Sequence, residues 1–296
     1  MTEITKVNLP VIGEGLVAGK SVIIRADLEA DSDSDPRFVT AKNIVEYLQG
    51  QNIGSIKVIG HQGGIWMVEA LGVTVNYDLR SDPREEANSV ELAAELAYGF
   101  DIYINEAFGT SHRKHTSIDA LPRWMKNQGL SVYCGPRFKQ EVEILSQALT
   151  KPGKKILVIG GSKVADKEKY SNLLTSKFDQ VLKGGLLPGV DLRPDGLDIT
   201  TETVASYKSQ IASAQVIVAA GVMGKYEGVG SEYGTKEILQ AIANSSAYKI
   251  AGGGDIEAAI AKYHLTPKFD WISVGGGAML EFLATGSLPG IEVLLN

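Results

Sequence analysis

Two lysines four residues apart follow a double glycine in Gly160-Gly161-Ser162-Lys163-Val164-Ala165-Asp166-Lys167. At that spacing both ammonium groups lie on one helical face and could reach a phosphoryl group, although by spacing alone such a pair is more often a solvated face. Asp255 follows a triple glycine, Gly252-Gly253-Gly254. A carboxylate there could hold Mg²⁺ together with phosphate oxygens, or cap the helix that follows. Further glycine turns stand at Gly184-Gly185, Gly221-Val222-Met223-Gly224 and Gly275-Gly276-Gly277-Ala278. Any one of them serves a tight turn; several in one half of a chain point to backbone N–H groups arranged around an anion. Neither a GxxxxGK[ST] loop nor a clean GxGxxG fingerprint is present, which disfavours an ordinary P-loop nucleotidase or dinucleotide enzyme. Cys134 is the single cysteine, so an internal disulfide and a multi-cysteine metal site are excluded.

The elements that must position these residues are legible from short apolar runs ending in turn residues. In the first half these are Ser21–Ile24, Ile56–Ile59, Val73–Val75 and Ile102–Ile104; in the second, Lys155–Ile159, Gln215–Ala219, Tyr248–Ala251 and Asp270–Val274. Runs this short and this apolar read as buried parallel strands. Helix-period stretches lie between them at Thr40–Leu48 and Ser89–Ala97, the latter with Ser89 as N-cap, and again at Lys139–Ala148. Alternation of strand and helix predicts an α/β chain. The basic, turn-rich Lys151-Pro152-Gly153-Lys154-Lys155 is the expected domain connection.

The chain has 296 residues, 44% hydrophobic and 22% charged, with 33 glycines and a net charge of -6. Mean hydropathy is +0.00 and the pI about 5.4. That balance excludes a wholly disordered chain. It also argues against sequence-independent nucleic-acid binding, which counterion release drives through positive charge. No apolar run is long enough to span a membrane, and Met1–Lys6 lack the pattern of a secretory signal. A cytoplasmic protein without membrane or nucleic-acid partners is expected, meeting anionic ligands through local basic clusters.

The residues of both halves resemble the phosphoglycerate kinase family. Asn105-Glu106-Ala107-Phe108-Gly109-Thr110-Ser111-His112-Arg113-Lys114-His115-Thr116-Ser117 is similar to that family's N-D-A-F-G-T-A-H-R-A-H-A-S. Gly160 to Lys167 resembles G-G-A-K-V-x-D-K, Gly252 to Asp255 resembles G-G-G-D, and Ile272 to Glu281 resembles I-S-T-G-G-G-A-S-L-E. The landmarks occur in family order from Arg25 to Leu288-Pro289-Gly290-Ile291, nearly the whole chain.

The resemblance implies two doubly wound, Rossmann-like parallel-sheet domains facing a cleft. A phosphoglycerate-binding domain would span 1–150, with 286–296 packing back on it, and a nucleotide-binding domain 151–285. It implies a monomeric phosphotransferase acting between 1,3-bisphosphoglycerate and Mg-ADP, to give 3-phosphoglycerate and ATP. Carried over by position, Arg25, Asp27, His61, Arg80, His112 and Arg113 bind substrate, and Arg37, Lys167 and Gly276 are catalytic. Gly160, Gly161, Lys163, Lys167, Gly184, Gly185, Glu227, Gly252, Gly253, Gly254, Asp255, Gly275, Gly276 and Gly277 bind nucleotide, with Asp255 on Mg²⁺. Taken singly, His61 also reads as a core histidine, Arg80 as a surface charge and Asp27 as a turn former.

The chain departs from the family in several places. The family's second arginine after the histidine is Gly64, so that restoring arginine there is expected to tighten substrate binding if the loop geometry is kept. Its asparagine after R-x-D is Glu29, whose carboxylate would repel a phosphorylated carboxylate substrate. Another asparagine is Ala220. Gly196-Leu197-Asp198-Ile199 follows Gly184-Gly185 so closely that the usual walls of the base pocket are expected to be missing and the base weakly held. These losses sustain a different class of reading, a non-catalytic phosphate-ligand or nucleotide-binding regulatory protein. A nicotinamide-dependent oxidoreductase is a third, opposed by the missing fingerprint.

Overall fold

The structure is a computed structural model and describes residues 8–295; Met1–Lys6 lie outside the described residues. The chain divides into two units, Met1–Glu143 with Ser287–Asn296, and Ile144–Gly286.

In the first unit the strands are β1 (Ser21–Arg25), β2 (Ser55–Ile59), β3 (Thr74–Asn76), β4 (Ile102–Asn105) and β5 (Ser131–Cys134). Helices α1 (Pro36–Gln49), α2 (Trp66–Leu71), α3 (Pro83–Glu86), α4 (Val90–Ala97), α5 (Leu121–Asn127) and α6 (Pro136–Thr150) alternate with them. The second unit holds β6 (Lys155–Ile159), α7 (Val164–Leu174), β7 (Gln180–Lys183), α8 (Thr201–Ile211), β8 (Val216–Ala220), α9 (Tyr233–Asn244), β9 (Tyr248–Gly252), α10 (Gly254–Lys262), β10 (Trp271–Ser273) and α11 (Gly276–Thr285). A last helix, α12 (Pro289–Leu295), belongs to the first unit. There Lys126 Nζ donates to the Leu294 carbonyl and Gly290 N to the Ser111 carbonyl, both at 3.0 Å.

Each sheet is five-stranded and all-parallel, in the orders β3-β2-β1-β4-β5 and β10-β9-β8-β6-β7. Central strands are covered on both faces: Val22, Ile23 and Ile24 in β1, and all of β8, are buried. That is why they read as unbroken apolar runs rather than as alternation. α1 shows how the covering helices are encoded. Asp35 accepts from Arg37 N at 2.8 Å as N-cap and Pro36 opens the first turn. Phe38, Ala41, Ile44, Val45 and Leu48 then recur at helical spacing and are buried against the sheet. Ser89 caps α4 as expected, accepting from Leu92 N at 3.2 Å.

The division between units falls within α6, at Glu143 and Ile144, seven residues before the expected boundary. The helix continues unbroken to Thr150 because nothing before Lys151-Pro152-Gly153 stops it. Among the described residues no single helix is long and apolar enough to cross a membrane.

Candidate functional site

In the first unit β1 and β4 are neighbours at the point where strand order reverses, with Arg25 opposite Asn105. Loops leaving the carboxyl ends of strands at such a point form the crevice where open α/β sheets bind ligands. Asp27 ties two of these loops together: its buried carboxylate accepts from Gly109 N and from Thr110 Oγ1, each at 2.9 Å. Arg25 is fully buried. Its Nε donates to Ser117 Oγ at 2.9 Å, Nη1 donates to the Ala26 carbonyl and lies 3.6 Å from Asp27, and Nη2 has no hydrogen-bond partner. Both residues thus hold the floor of the crevice instead of presenting their charge to solvent.

His61 is buried and His112 half-buried, whereas Arg80 and Arg113 are exposed. Arg80 N donates to the His61 carbonyl at 2.8 Å and Arg80 Nη1 to Gln62 Oε1 at 2.9 Å, which joins those two loops. Burial, followed by the Arg25 charge, pushes the His61 pKa below its usual value. His115 is lowered to about 4 by burial and then by His61, Arg113, Arg25 and His112. The histidines and arginines therefore share one electrostatic environment. Its positive charge at neutral pH rests on the guanidiniums, since both buried imidazoles are neutral there. Arg37 stands in the first turn of α1, its Nη1 on the Glu29 carbonyl at 2.6 Å. The Glu29 side chain is exposed and its charge reaches His61, so it reduces the net positive charge of this cluster.

Gly64 changes the expectation attached to it. A Cβ built there would sit 2.5 Å from Cδ1 and Nε1 of Trp66, and Trp66 in turn packs on Phe38 with ring centroids 4.6 Å apart. The indole holds the space that an arginine side chain would leave through. Gly64→Arg alone is therefore expected to destabilise by about 1–3 kcal/mol, as overpacking does, lowering Tm by several degrees in a thermal melt. Gly64→Arg combined with Trp66→Ala should recover part of that loss.

In the second unit the reversal lies between β6 and β8, with Ile159 opposite Ala220. The turns there are packed backbone on backbone. A Cβ at Gly160 would lie 2.3 Å from the Val222 carbonyl oxygen, and one at Gly185 would lie 2.4 Å from Gly161 N. Gly184 would meet Met223 at 2.6 Å. These three are required by the fold. Gly254 is different, with nothing within 4 Å of its Cβ position; its backbone is open to a ligand.

Three helices, α7, α10 and α11, begin here with no side-chain hydrogen bond at Lys163, Gly253 or Gly275. Unsatisfied N–H groups and the helix dipole make such ends receptive to anions. The starts of α10 and α11 are adjacent, since a Cβ on Gly276 would come within 2.7 Å of Gly253 Cα. Asp255 is the second residue of α10 and does not cap it, because Gly253 occupies that position. The capping alternative therefore falls. Its exposed carboxylate lies 3.9 Å from the Cβ position of Gly161. A single carboxylate beside open backbone amides fits Mg²⁺, which usually keeps its waters and takes its other oxygens from phosphate.

Lys163 is exposed at the start of α7, whereas Lys167 is half-buried one turn on. Lys167 Nζ donates to the Ala220 carbonyl at 2.6 Å. Burial lowers its pKa to about 8, against the opposing pull of Asp255. A cavity of about 400 Å³ opens beside these groups, lined by Gly161, Ser162, Gly185, Leu186, Leu192, Gly196, Leu197, Val222, Gly224, Lys225, Glu227 and Asp255. Among the described residues no named helix or strand lies between Lys183 and Thr201, in keeping with the short spacing. The shortened segment after Gly185 folds back through an antiparallel bridge between Leu192 and Ile199, and its leucines supply an apolar wall.

Sequence reasoning passed over Glu85, His115, Ser117 and Trp66. His115 and Ser117 stood inside a recognised signature without an assigned role. Glu85 lay in Asp82-Pro83-Arg84-Glu85-Glu86, which reads as a solvated charge run, yet it is fully buried.

The phosphoglycerate kinase family profile matches residues 2–190 and 189–286. A phosphoglycerate kinase of Herpetosiphon aurantiacus is 30% identical over 365 aligned positions, covering 99% of this chain and 91% of the relative. One from Thermomicrobium roseum is 32% identical over 282 positions, covering 74% of this chain and 71% of that protein. The solved phosphoglycerate kinase of Coxiella burnetii superposes with a TM-score of 0.80 at 25% identity, over 97% of this chain and 99% of its own. That of Pyrococcus horikoshii, at 24% identity and a TM-score of 0.79 over 94% and 96%, shares the fold. With its two all-parallel sheets and ordered motifs, this chain belongs to the phosphoglycerate kinase family.

Proposed function

We propose that the protein transfers a phosphoryl group reversibly between 1,3-bisphosphoglycerate and Mg-ADP, giving 3-phosphoglycerate and ATP. The observation that carries this reading is the Lys167 ammonium, anchored on the Ala220 carbonyl beside Asp255 and among open helix N-termini. A β-phosphate oxygen of ADP forms the new P–O bond as the bond between phosphorus and the acyl oxygen breaks. The electron pair stays on the carboxylate of 3-phosphoglycerate. Such a loose, in-line transfer needs positioning and charge stabilisation and no covalent enzyme intermediate. Lys167 and Arg37 would neutralise the equatorial oxygens in the transition state, with backbone N–H groups at Gly276. Lys163, Gly160, Gly161 and Gly252–Gly254 would hold the nucleotide phosphates, and Glu227 the ribose. Asp255 is the side chain that would hold Mg²⁺, which when bound offsets phosphate charge. Arg80, His112, Arg113 and His61 would receive 3-phosphoglycerate on the frame that Arg25 and Asp27 support.

A coupled assay with purified protein, 3-phosphoglycerate and Mg-ATP tests this directly. Turnover dependent on both substrates is expected. Binding of both without turnover would favour a non-catalytic binder, a reading supported by Gly64 at the second arginine position, where Trp66 fills the space, and by Ala220. The base sits against leucine side chains in this reading, and hydrophobic walls discriminate poorly between bases. ATP and GTP should therefore compete within about tenfold, under about 1.4 kcal/mol; a hundredfold preference in competition titrations would refute that placement.

Lys167 also sets an expected pH dependence. An ammonium whose pKa is near 8 loses its charge as pH rises through that value, and kcat/KM reports the free enzyme. So kcat/KM should fall above about pH 8, approaching tenfold per unit. Lys167→Arg, being charged throughout, should remove that limb even where its rate is lower. A parental profile flat to about pH 10 would detach Lys167 from the rate.

A further inference from the structure

We propose that His61, Glu85 and His115 form a binding site for a zinc-like divalent transition-metal ion in the first unit. Each offers one ligand atom, and the three atoms lie within 4.8 Å of one another. His115 Nδ1 is 3.9 Å from Glu85 Oε1, and the two imidazole rings lie with centroids 4.9 Å apart, inclined by 35°. Nδ1 of both histidines is buried without a hydrogen-bond partner, and His61 is only 3% exposed. Buried polar atoms in folded proteins are almost always satisfied. Two orphaned imidazole nitrogens beside one carboxylate are what a shared cation would satisfy.

The donor set selects the class of ion. Two imidazole nitrogens and one carboxylate oxygen suit zinc and its transition-metal neighbours, whereas Mg²⁺ and Ca²⁺ prefer oxygen alone. Three protein ligands also leave a fourth position open to water. With metal–ligand bonds of about 2.0–2.2 Å, tetrahedral ligand atoms stand roughly 3.4 Å apart, so modest rotations of the imidazoles close the site. Glu85 is already oriented for the task. Its Oε2 accepts from Ser117 N at 2.9 Å and its Oε1 from Ser117 Oγ at 2.5 Å, while Ser117 Oγ accepts from Arg25 Nε. Hydrogen bonds of this kind, one step out from the ion, fix ligand carboxylates in metal sites. The guanidiniums of Arg25 and Arg113 act on both histidines, and their repulsion should hold affinity below that of a structural zinc site.

Glu85 and His115 have no part in the proposed reaction, whereas His61 is shared with the proposed substrate site; the test uses no substrate, so its failure and that of the phosphoglycerate reading are distinguishable. The chain has four histidines, which permits a complete set of substitutions. ZnCl₂ titrated calorimetrically into chelator-treated full-length protein should bind at one equivalent. Co²⁺ should give the intense visible absorption of a four-coordinate site. His115→Gln and His61→Gln, each checked for fold by circular dichroism, should weaken Zn²⁺ at least about a hundredfold, as loss of a ligand requires. His112→Gln and His264→Asn should bind as the parent does. Absence of Zn²⁺ heat and Co²⁺ absorption in the parent overturns the site, as does parental binding in both His115→Gln and His61→Gln. Loss confined to His112→Gln would also overturn it, because the ion would then lie elsewhere.

Discussion

Arg37→Ala should lower kcat on the order of 10³-fold or more while leaving the fold intact, by analogy with arginine groups that stabilise phosphoryl-transfer transition states. The fold should survive because the local structure uses the backbone of this residue. Asp35 caps α1 by accepting from Arg37 N, which alanine retains, and the buried face begins one residue later at Phe38. What is lost is the guanidinium and its bond to the Glu29 carbonyl at 2.6 Å, an exposed contact whose removal should cost no more than about 1 kcal/mol. The rate loss expected here corresponds to roughly 4 kcal/mol, far above that structural effect. Steady-state kinetics beside a thermal melt separate the two. Near-parental kcat at saturating substrates would remove Arg37 from the chemistry.

Asp255→Ala should weaken Mg-nucleotide about a hundredfold, or about 2.7 kcal/mol, and affect metal-free nucleotide far less. A carboxylate a few ångströms from a divalent ion is worth several kcal/mol even at an effective dielectric constant of about 20. Against free nucleotide the same carboxylate only repels phosphate, so its removal should leave that affinity unchanged or improved. Helix stability should change little, since Gly253 holds the cap position and Asp255 makes no cap bond. Titrations with and without Mg²⁺ give the two affinities. Equal losses in both would mean that Asp255 supports the turn and does not meet the ion.

The sequence by itself determined the parallel α/β class, eight of the ten strands among the described residues and the order of the glycine turns. It could do so because central strands buried on both faces must be apolar throughout, and helices packed on them must show apolar residues at helical spacing. The strands it did not reveal, β5 and β7, lie at sheet edges. Ser131-Val132-Tyr133-Cys134 and Gln180-Val181-Leu182-Lys183 are half-covered there and carry mixed polarity. Tertiary structure alone decided which glycines are packing and which are open, because Gly160 and Gly254 differ only in what stands opposite them. It also placed Trp66 in the path of an arginine at position 64 and turned a shortened segment into the leucine wall of a cavity. Glu85, near in sequence to a solvated charge run, meets His61 and His115 only because α3 packs beside the loop after β4. Contacts between residues far apart along the chain depend on how the elements pack in three dimensions, and local patterns of polarity carry no record of them.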